Sequence, residues 1–325
     1  MSHDAPATIA VYYEHPQWFE RLFAELERRG LPSRRVLANE HVLDPGAPEF
    51  GPNTIVFNRM SASAYTRGHG DAIAYTADLL HDLELRGIPV INGARAYGYE
   101  ISKAKQLALL ASLGLGAPRT RVVHRADQLS LAARALRFPI VVKPNTGGRG
   151  AGVVRVDTPE LLAELAASGA LALGPDGVGL VQELIPKRDA KITRVEVLDG
   201  RYLYAIDVTT SGETFDLCPA DICRTPVAIG EVCLTEPAPT VSAVRAEPPP
   251  EAIAEVERIA RAAGIEIGGV EFLVDERTGE RLYYDINALS NFVANPVETI
   301  GFDPWERLGD WLEARARGGV PAGVR

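Results

Sequence analysis

The stretch Lys143-Pro144-Asn145-Thr146-Gly147-Gly148-Arg149-Gly150-Ala151-Gly152-Val153 decides the reading of this chain, because it matches an acidic couple placed far downstream. That couple is Glu271 in GGVEFL, followed by Asp285 and Asn287 in YYDIN. A lysine at a strand end leads directly into a glycine loop, whose missing side chains let backbone N–H groups lie against phosphate. Two carboxylates and an amide on neighbouring strands offer only hard oxygen donors, which suits magnesium already bound to phosphates. Asp285 and Asn287 are two apart on a strand and share one face, and Glu271, one strand earlier, can face them across the pair.

The loop lacks the G-x-x-x-x-G-K-S/T order of a Walker A loop, and no helix-forming run follows Gly152. Instead Val153–Val156 alternates like a strand, so the loop is expected to join two strands as a hairpin flap, not a strand to a helix as a dinucleotide fingerprint requires. Alone, a glycine-rich hairpin is an ordinary turn; Lys143 before it and the acids after it give it a nucleotide-binding reading.

The chain of 325 residues has room for two or three lobes. It is 46% hydrophobic and 24% charged, with a formal net charge of −9 and no long basic run, which argues against nucleic acid as a partner. No apolar stretch approaches the ~20 residues of a membrane span. The opening MSHDAPATIAVYY shows neither a basic n-region nor an apolar h-region, so the expected location is the cytoplasm. Cys218, Cys223 and Cys233 are spaced C-x4-C-x9-C without a nearby histidine, which fits unpaired thiols better than a zinc site, although metal or redox use stays open.

Strands and helices alternate over residues 1–95: strands at 8–13, 35–38, 54–57 and 88–92, helices at 17–29 and 71–86. That pattern predicts a parallel α/β unit. Helices are expected at 102–113, with Ser102 as a cap, and at 126–136, 158–167 and 251–263, with a last one around Trp305–Leu312. Further strands are expected at 118–123, 140–142, 178–185, 192–198, 202–208, 269–274 and 282–287, the pair around Asp199-Gly200 forming a tight hairpin. Residues 209–250 show no clear periodicity.

A lysine before a helix, a lysine–glycine flap, a Val-Gln-Glu-Leu-Ile strand end and a late acidic couple occur here in one order. That order resembles the ATP-grasp superfamily, and within it the RimK-type and D-alanine–D-alanine-ligase-like carboxylate–amine ligases, over about residues 88–311. The resemblance implies an α/β protein, α+β in its nucleotide-binding lobes: an ATP-grasp fold with an amino-terminal parallel α/β domain. The implied division is residues 1–95, a central lobe at 96–183 carrying the flap, and a lobe at 184–325 carrying the metal site. It also implies ATP and magnesium (two ions) as cofactors. Lys103 and Lys143 take the places of the phosphate-binding lysines, and Gly147, Gly148, Arg149, Gly150 and Gly152 form the flap. Gln182, Glu183, Leu184 and Ile185 form the hinge that reads adenine through the peptide groups of Glu183 and Ile185. Asp189 would hold ribose, Leu273 would pack beneath the base, and Arg194 would face the transferred phosphate. Glu271, Asp285 and Asn287 resemble the magnesium set.

The implied activity is ATP-dependent joining of a small-molecule or peptide carboxylate to an amine; a small-molecule kinase and a non-catalytic nucleotide-binding module are the alternatives, and a homodimer is compatible with each. The chain departs from the RimK-type pattern where that pattern reads N-A-S-P-G, having Asn287-Ala-Leu-Ser-Asn-Phe292 instead, so the substrate cannot be carried over. Arg59 and Arg67, in the loop after the strand 54–57, are expected to hold the acid, with Tyr65 and His69 completing the wall.

Overall fold

The structure is a computed structural model and describes residues 5–47, 49–210 and 241–318. The three cysteines lie outside the described residues, as does most of the segment 209–250.

The first unit alternates β1 (Thr8–Tyr13), α1 (Glu20–Arg28), β2 (Ser33–Leu37), β3 (Thr54–Arg59), α2 (Asp71–Leu85) and β4 (Val90–Ile91). Its four strands are parallel in the order β2-β1-β3-β4. Residues 9–13 of β1 are all buried, the continuous apolar run that a parallel strand covered on both faces requires. Then α1 buries Leu22, Phe23 and Leu26 on one face, with Glu20 in its first turn and Arg28 in its last, each complementing the helix dipole. It is three residues shorter at its start than the apolar spacing predicts, and Trp18 and Phe19 pack from the preceding turn instead.

Next come α3 (Ala94–Glu100), α4 (Lys103–Ser112), β5 (Thr120–Val123), α5 (Leu129–Ala133), β6 (Ile140–Pro144), β7 (Val154–Val156), α6 (Pro159–Ser168) and β8 (Gly179–Glu183). The sheet runs β5-β8-β6-β7, antiparallel throughout. Ile140 faces Val156 and Val142 faces Val154, so the glycine segment is the tip of a hairpin, as its sequence predicts.

The remaining strands are β9 (Lys191–Leu198), β10 (Arg201–Thr210), β11 (Val241–Arg245), β12 (Ile267–Val274) and β13 (Arg281–Asn287), with helices α7 (Pro250–Ala263), α8 (Pro296–Ile300) and α9 (Pro304–Arg317). They form an antiparallel sheet in the order β11-β10-β9-β12-β13. Asp199 (φ 54°) and Gly200 (φ 65°) both take left-handed backbone between β9 and β10, as a tight two-residue hairpin requires. Three elements were not expected. In α3 no periodicity is visible, and the helix is held by packing of Ala96 and Tyr97 and by the Tyr97 hydroxyl donating to Ile73 O (3.0 Å). For β11 the cause is its edge position: its residues are half-buried or exposed, so no hydrophobic alternation marks it. The five-residue α8 is too short for a periodic signal.

Asn92, buried at φ 52° just after β4, ties the first sheet to the third. Its Nδ2 donates to Ile267 O and Ala288 O (2.6 Å each), and its Oδ1 accepts from Glu266 N (2.9 Å) and Ile267 N (3.3 Å). Asn58 Nδ2 donates in turn to Asn92 O (3.0 Å). The carbonyl of Ala288 follows Asn287 directly, so this one side chain ties the end of the acidic strand to the end of β4. Replacing it, Asn92→Ala, leaves buried backbone groups without these partners at about 1–3 kcal/mol per group. Urea unfolding should therefore show a loss of about 2 kcal/mol or more; a loss below about 0.5 kcal/mol would contradict this role.

Candidate active site

Ser102 caps α4, its Oγ accepting from Lys105 N (3.3 Å), and Lys103 follows as the first helical residue. The helix start is locked to the end of β6 by Asn145, whose Oδ1 accepts from Ala104 N (2.8 Å) and Ser102 Oγ (3.3 Å), and whose carbonyl accepts from Lys103 N (3.2 Å). Asp176 fixes Asn145 in turn (2.6 Å). Lys103 and Lys143 are thereby brought together, although they come from a helix and a strand forty positions apart. Lys103 Nζ donates to Asp285 Oδ1 (3.0 Å) and Gly147 O (3.3 Å), so it joins the flap to the acidic strand. Burial lowers the affinity of Lys143 for its proton, nearby Lys103 adds to this, and its pKa falls to about 8. Burial acts the same way on Lys103, but Asp285 outweighs it and the net shift is upward.

The acidic residues meet as the pattern predicts. Glu271 on β12 faces Asp285 on β13 across the antiparallel pair. The register slips between Glu271 and Phe272, so Tyr284 is an extra residue, and its hydroxyl donates to Glu271 Oε2 (2.8 Å). Glu271 Oε1 accepts from Arg194 Nη1 (2.9 Å), and Arg194 Nε donates to Glu196 Oε1 (2.6 Å). Burial raises the Glu271 pKa, and Arg194 offsets only part of that. For Asp285 burial also acts upward, but Lys103 prevails and its pKa is lowered. Burial would lower the Arg194 pKa, yet Glu196 and Glu271 raise it well above its ordinary value. Among the described residues no group of three or more His, Cys, Asp or Glu side chains converges on one point. Metal binding would therefore rest on Glu271, Asp285, the Asn287 amide and phosphate oxygens, an all-oxygen set that fits magnesium.

A cleft opens beside these charges, lined by Lys103, Lys143, Asp285 and Tyr284 on one side and by Gly147, Gly148, Arg149 and Gly150 above. Val141, Ile185, Ile192 and Leu273 make its apolar walls, and Gln182, Glu183 and Leu184 its edge. Gly152 does not line it; its φ of 73° and a Cβ position 2.9 Å from Pro144 Cγ demand glycine for the turn itself. Asp189 is exposed at φ 57° and stays outside the lining, where Lys187 stands instead. The Glu183 amide is spent on Arg119 O (2.9 Å) and its carboxylate accepts from Arg137 N (3.0 Å), which leaves only its carbonyl for reading a base.

The first α/β unit reaches the flap through the loop after β3. A Cβ on Gly147 would lie 3.1 Å from the Tyr65 hydroxyl, and one on Gly148 3.6 Å from Ser63 Cβ. Arg67 does not offer a free guanidinium: buried Glu14 takes it (2.7 Å), it lies over the Trp18 ring, and the same carboxylate binds His69 Nδ1 (2.5 Å). The expected two-arginine grip on an acid is therefore absent, and His69 belongs to this ion cluster. Arg59 is fully buried between the rings of Phe19 and Phe57 and donates through Nη2 to Ser290 O. Sequence reasoning missed Glu14, Tyr284, Glu196 and Ser290, because none stands in a motif and each is recruited by tertiary packing.

Phosphate selects the protonated lysine. With a pKa lowered to about 8, Lys143 would have to take up a proton to bind phosphate at alkaline pH. Triphosphate affinity should thus weaken by roughly tenfold from about pH 8.5 to about 9.5. Calorimetry in two buffers of different ionisation enthalpy should show proton uptake, which Lys143→Met abolishes. Affinity independent of pH over this range would contradict the burial of Lys143.

Comparison with known proteins agrees with this geometry. Residues 101–215 match the family model of the RimK-like ATP-grasp domain. The D-alanine–D-alanine ligase of Geobacter sulfurreducens is 31% identical over 214 residues, 65% of this chain and 62% of that one, so the chain spans less than two thirds of this relative. The ATP-grasp ligase PsnB, solved with a minimal precursor, superimposes with a TM-score of 0.66 at 18% identity, covering 95% of this chain and 99% of that one. The D-alanine–D-alanine ligase of Bacillus anthracis, solved with ATP, gives a TM-score of 0.63 at 15% identity, covering 96% and 97%. At these identities the solved structures establish the fold. Residues 101–215 thus match a RimK-like ATP-grasp domain, and the chain shares the fold of the solved ATP-grasp ligases.

Proposed function

We propose that the protein joins a carboxylate to an amine at the expense of ATP, releasing ADP and phosphate through an acyl-phosphate. The observation that carries this reading is the convergence of buried Lys143 and half-buried Lys103 and Arg194 on Glu271 and Asp285, beside an apolar cleft under a glycine flap. Among the described residues lining that cleft there is no serine, cysteine or histidine, which favours phosphoryl transfer to the substrate's own carboxylate over an enzyme nucleophile. Relatives named as ligases support the same class.

In this reading the apolar walls take the base, and Lys103 and Lys143 offset phosphate charge. The flap excludes water while Arg194 faces the charge that builds up during transfer. Glu271, Asp285 and Asn287 hold magnesium, two ions in the full site, which neutralises phosphate oxygens when bound. The division at residues 95 and 183 belongs to the same proposal, supported by each of the three sheets falling within one segment. A cytoplasmic location belongs to it too; no helix among the described residues is long and apolar enough to cross a membrane.

A phosphate-release screen with acids and amines added in pairs tests the class: release should require both partners, and phosphate formed without ADP, or ADP without phosphate, would contradict a ligase. Asp285→Ala should lower turnover by about 100-fold or more without unfolding the chain; a variant retaining most activity at saturating magnesium would remove Asp285 from the metal set. Nucleotide should also slow trypsin cleavage at Arg149 in the flap by about fivefold or more, and equal rates with and without ATP would exclude closure over it.

A further inference from the structure

Arg194 is shared between two carboxylates on neighbouring strands. On β9, Arg194 and Glu196 are two apart and share one face, and on that face Ile192 lines the cleft two residues earlier. Across the antiparallel pair, Arg194 stands opposite Glu271 of β12, and Glu196 stands opposite Gly269. The guanidinium gives Nε to Glu196 Oε1 (2.6 Å), Nη1 to Glu271 Oε1 (2.9 Å) and Nη2 to the Ser290 hydroxyl (3.4 Å). Gly269 makes room for this arrangement: a Cβ there would lie 2.9 Å from Arg194 Nε, from Arg194 Nη2 and from Glu196 Oε1. The ion pair thus lies across the glycine, and a larger residue would push it away.

Charge balance alone does not account for Glu196. One carboxylate neutralises one guanidinium, and Glu271 already does so at 2.9 Å. Glu196 is 1% exposed, and its Oε2 is buried without a hydrogen bond among the described residues. A second carboxylate taken out of water beside an arginine already paired loses hydration that neutralisation does not demand. Glu271, however, makes a poor fixed anchor. It belongs to the proposed magnesium set, and its other oxygen accepts from the Tyr284 hydroxyl (2.8 Å). A cation on Glu271 would weaken its attraction for Arg194, whereas Glu196 lies outside that set. Holding a planar guanidinium by Nε also fixes its orientation and leaves the Nη groups for other acceptors.

We propose that Glu196 is the positioning residue for Arg194, holding the guanidinium by Nε over Gly269 so that it stays aimed at the transferred phosphate while Glu271 shares its charge with magnesium. This rests on the ligase reading, in which Arg194 faces that phosphate, and adds to it a residue that itself touches neither nucleotide nor metal.

Calorimetry on the full chain with magnesium tests this by comparing a non-hydrolysable ATP analogue with ADP, so that no acid or amine is needed. An arginine facing the terminal phosphate makes the analogue bind more tightly than ADP, and Arg194→Met should cut that preference by about tenfold. Glu196→Leu should cut it by a similar factor although Arg194 is intact. Glu196→Gln, which keeps an acceptor oxygen for Nε, should retain most of it. In the Arg194→Met background, Glu196→Leu should have no further effect. Damage to the fold would weaken both nucleotides alike and leave their ratio unchanged. Where Glu196→Leu does not fold, Gly269→Ala displaces the same ion pair without removing a charge, and it should lower the ratio instead. A wild-type ratio in folded Glu196→Leu, or in Gly269→Ala where that stands in for it, overturns the positioning role. So does a Glu196→Gln variant that loses as much as Glu196→Leu. An unchanged ratio in Arg194→Met is a separate failure: it removes Arg194 from the phosphate, and with it the reading on which Glu196 depends.

Discussion

Removing a charged side chain from water costs several kcal/mol unless an opposite charge or a bound ligand replaces the lost hydration. Lys143 is taken out of water and Lys103 and Arg194 largely so, around one pair of carboxylates, and the architecture follows from that constraint. The Lys103–Asp285 bridge holds the start of α4 against β13, and the Arg194–Glu271 bridge holds β9 against β12. Lys143 is different: among the described residues it forms no ion pair, and burial depresses its pKa. A cation kept buried without its own carboxylate fits a site completed by an anion from outside. The glycine flap is where that anion can be covered, since Lys103 already donates to the Gly147 carbonyl.

Much of this was legible in the sequence because the relevant residues are local in the chain. The flap is marked by glycines and by its flanking lysine, and the strand it returns through alternates visibly. The facing of Glu271 and Asp285 follows from strand periodicity alone. Illegible were the partners that only tertiary packing supplies. Arg67 sits in the expected loop, but Glu14, fifty-three positions earlier at the end of β1, neutralises it. Tyr284 reaches Glu271 because of a bulge, and a one-residue slip in register leaves no mark on composition. Asp189 stands just after the hinge in sequence yet turns outward through a left-handed backbone.

The departure at Asn287-Ala-Leu-Ser-Asn-Phe292 takes on meaning in this setting. Where the RimK-type pattern places a proline–glycine turn, this chain places Ser290, whose carbonyl and hydroxyl meet Arg59 from the first domain and Arg194 from the third sheet. Ser290 is thus the point where an arginine from the loop after β3 and an arginine of β9 meet.

In the proposed reaction a substrate carboxylate is phosphorylated and an amine then displaces phosphate from the acyl-phosphate. Oxygen-18 in the carboxylate of a productive acid follows that route. Mass spectrometry of the released phosphate should find one labelled oxygen per amide formed. Amide formation accompanied by unlabelled phosphate would contradict the acyl-phosphate route.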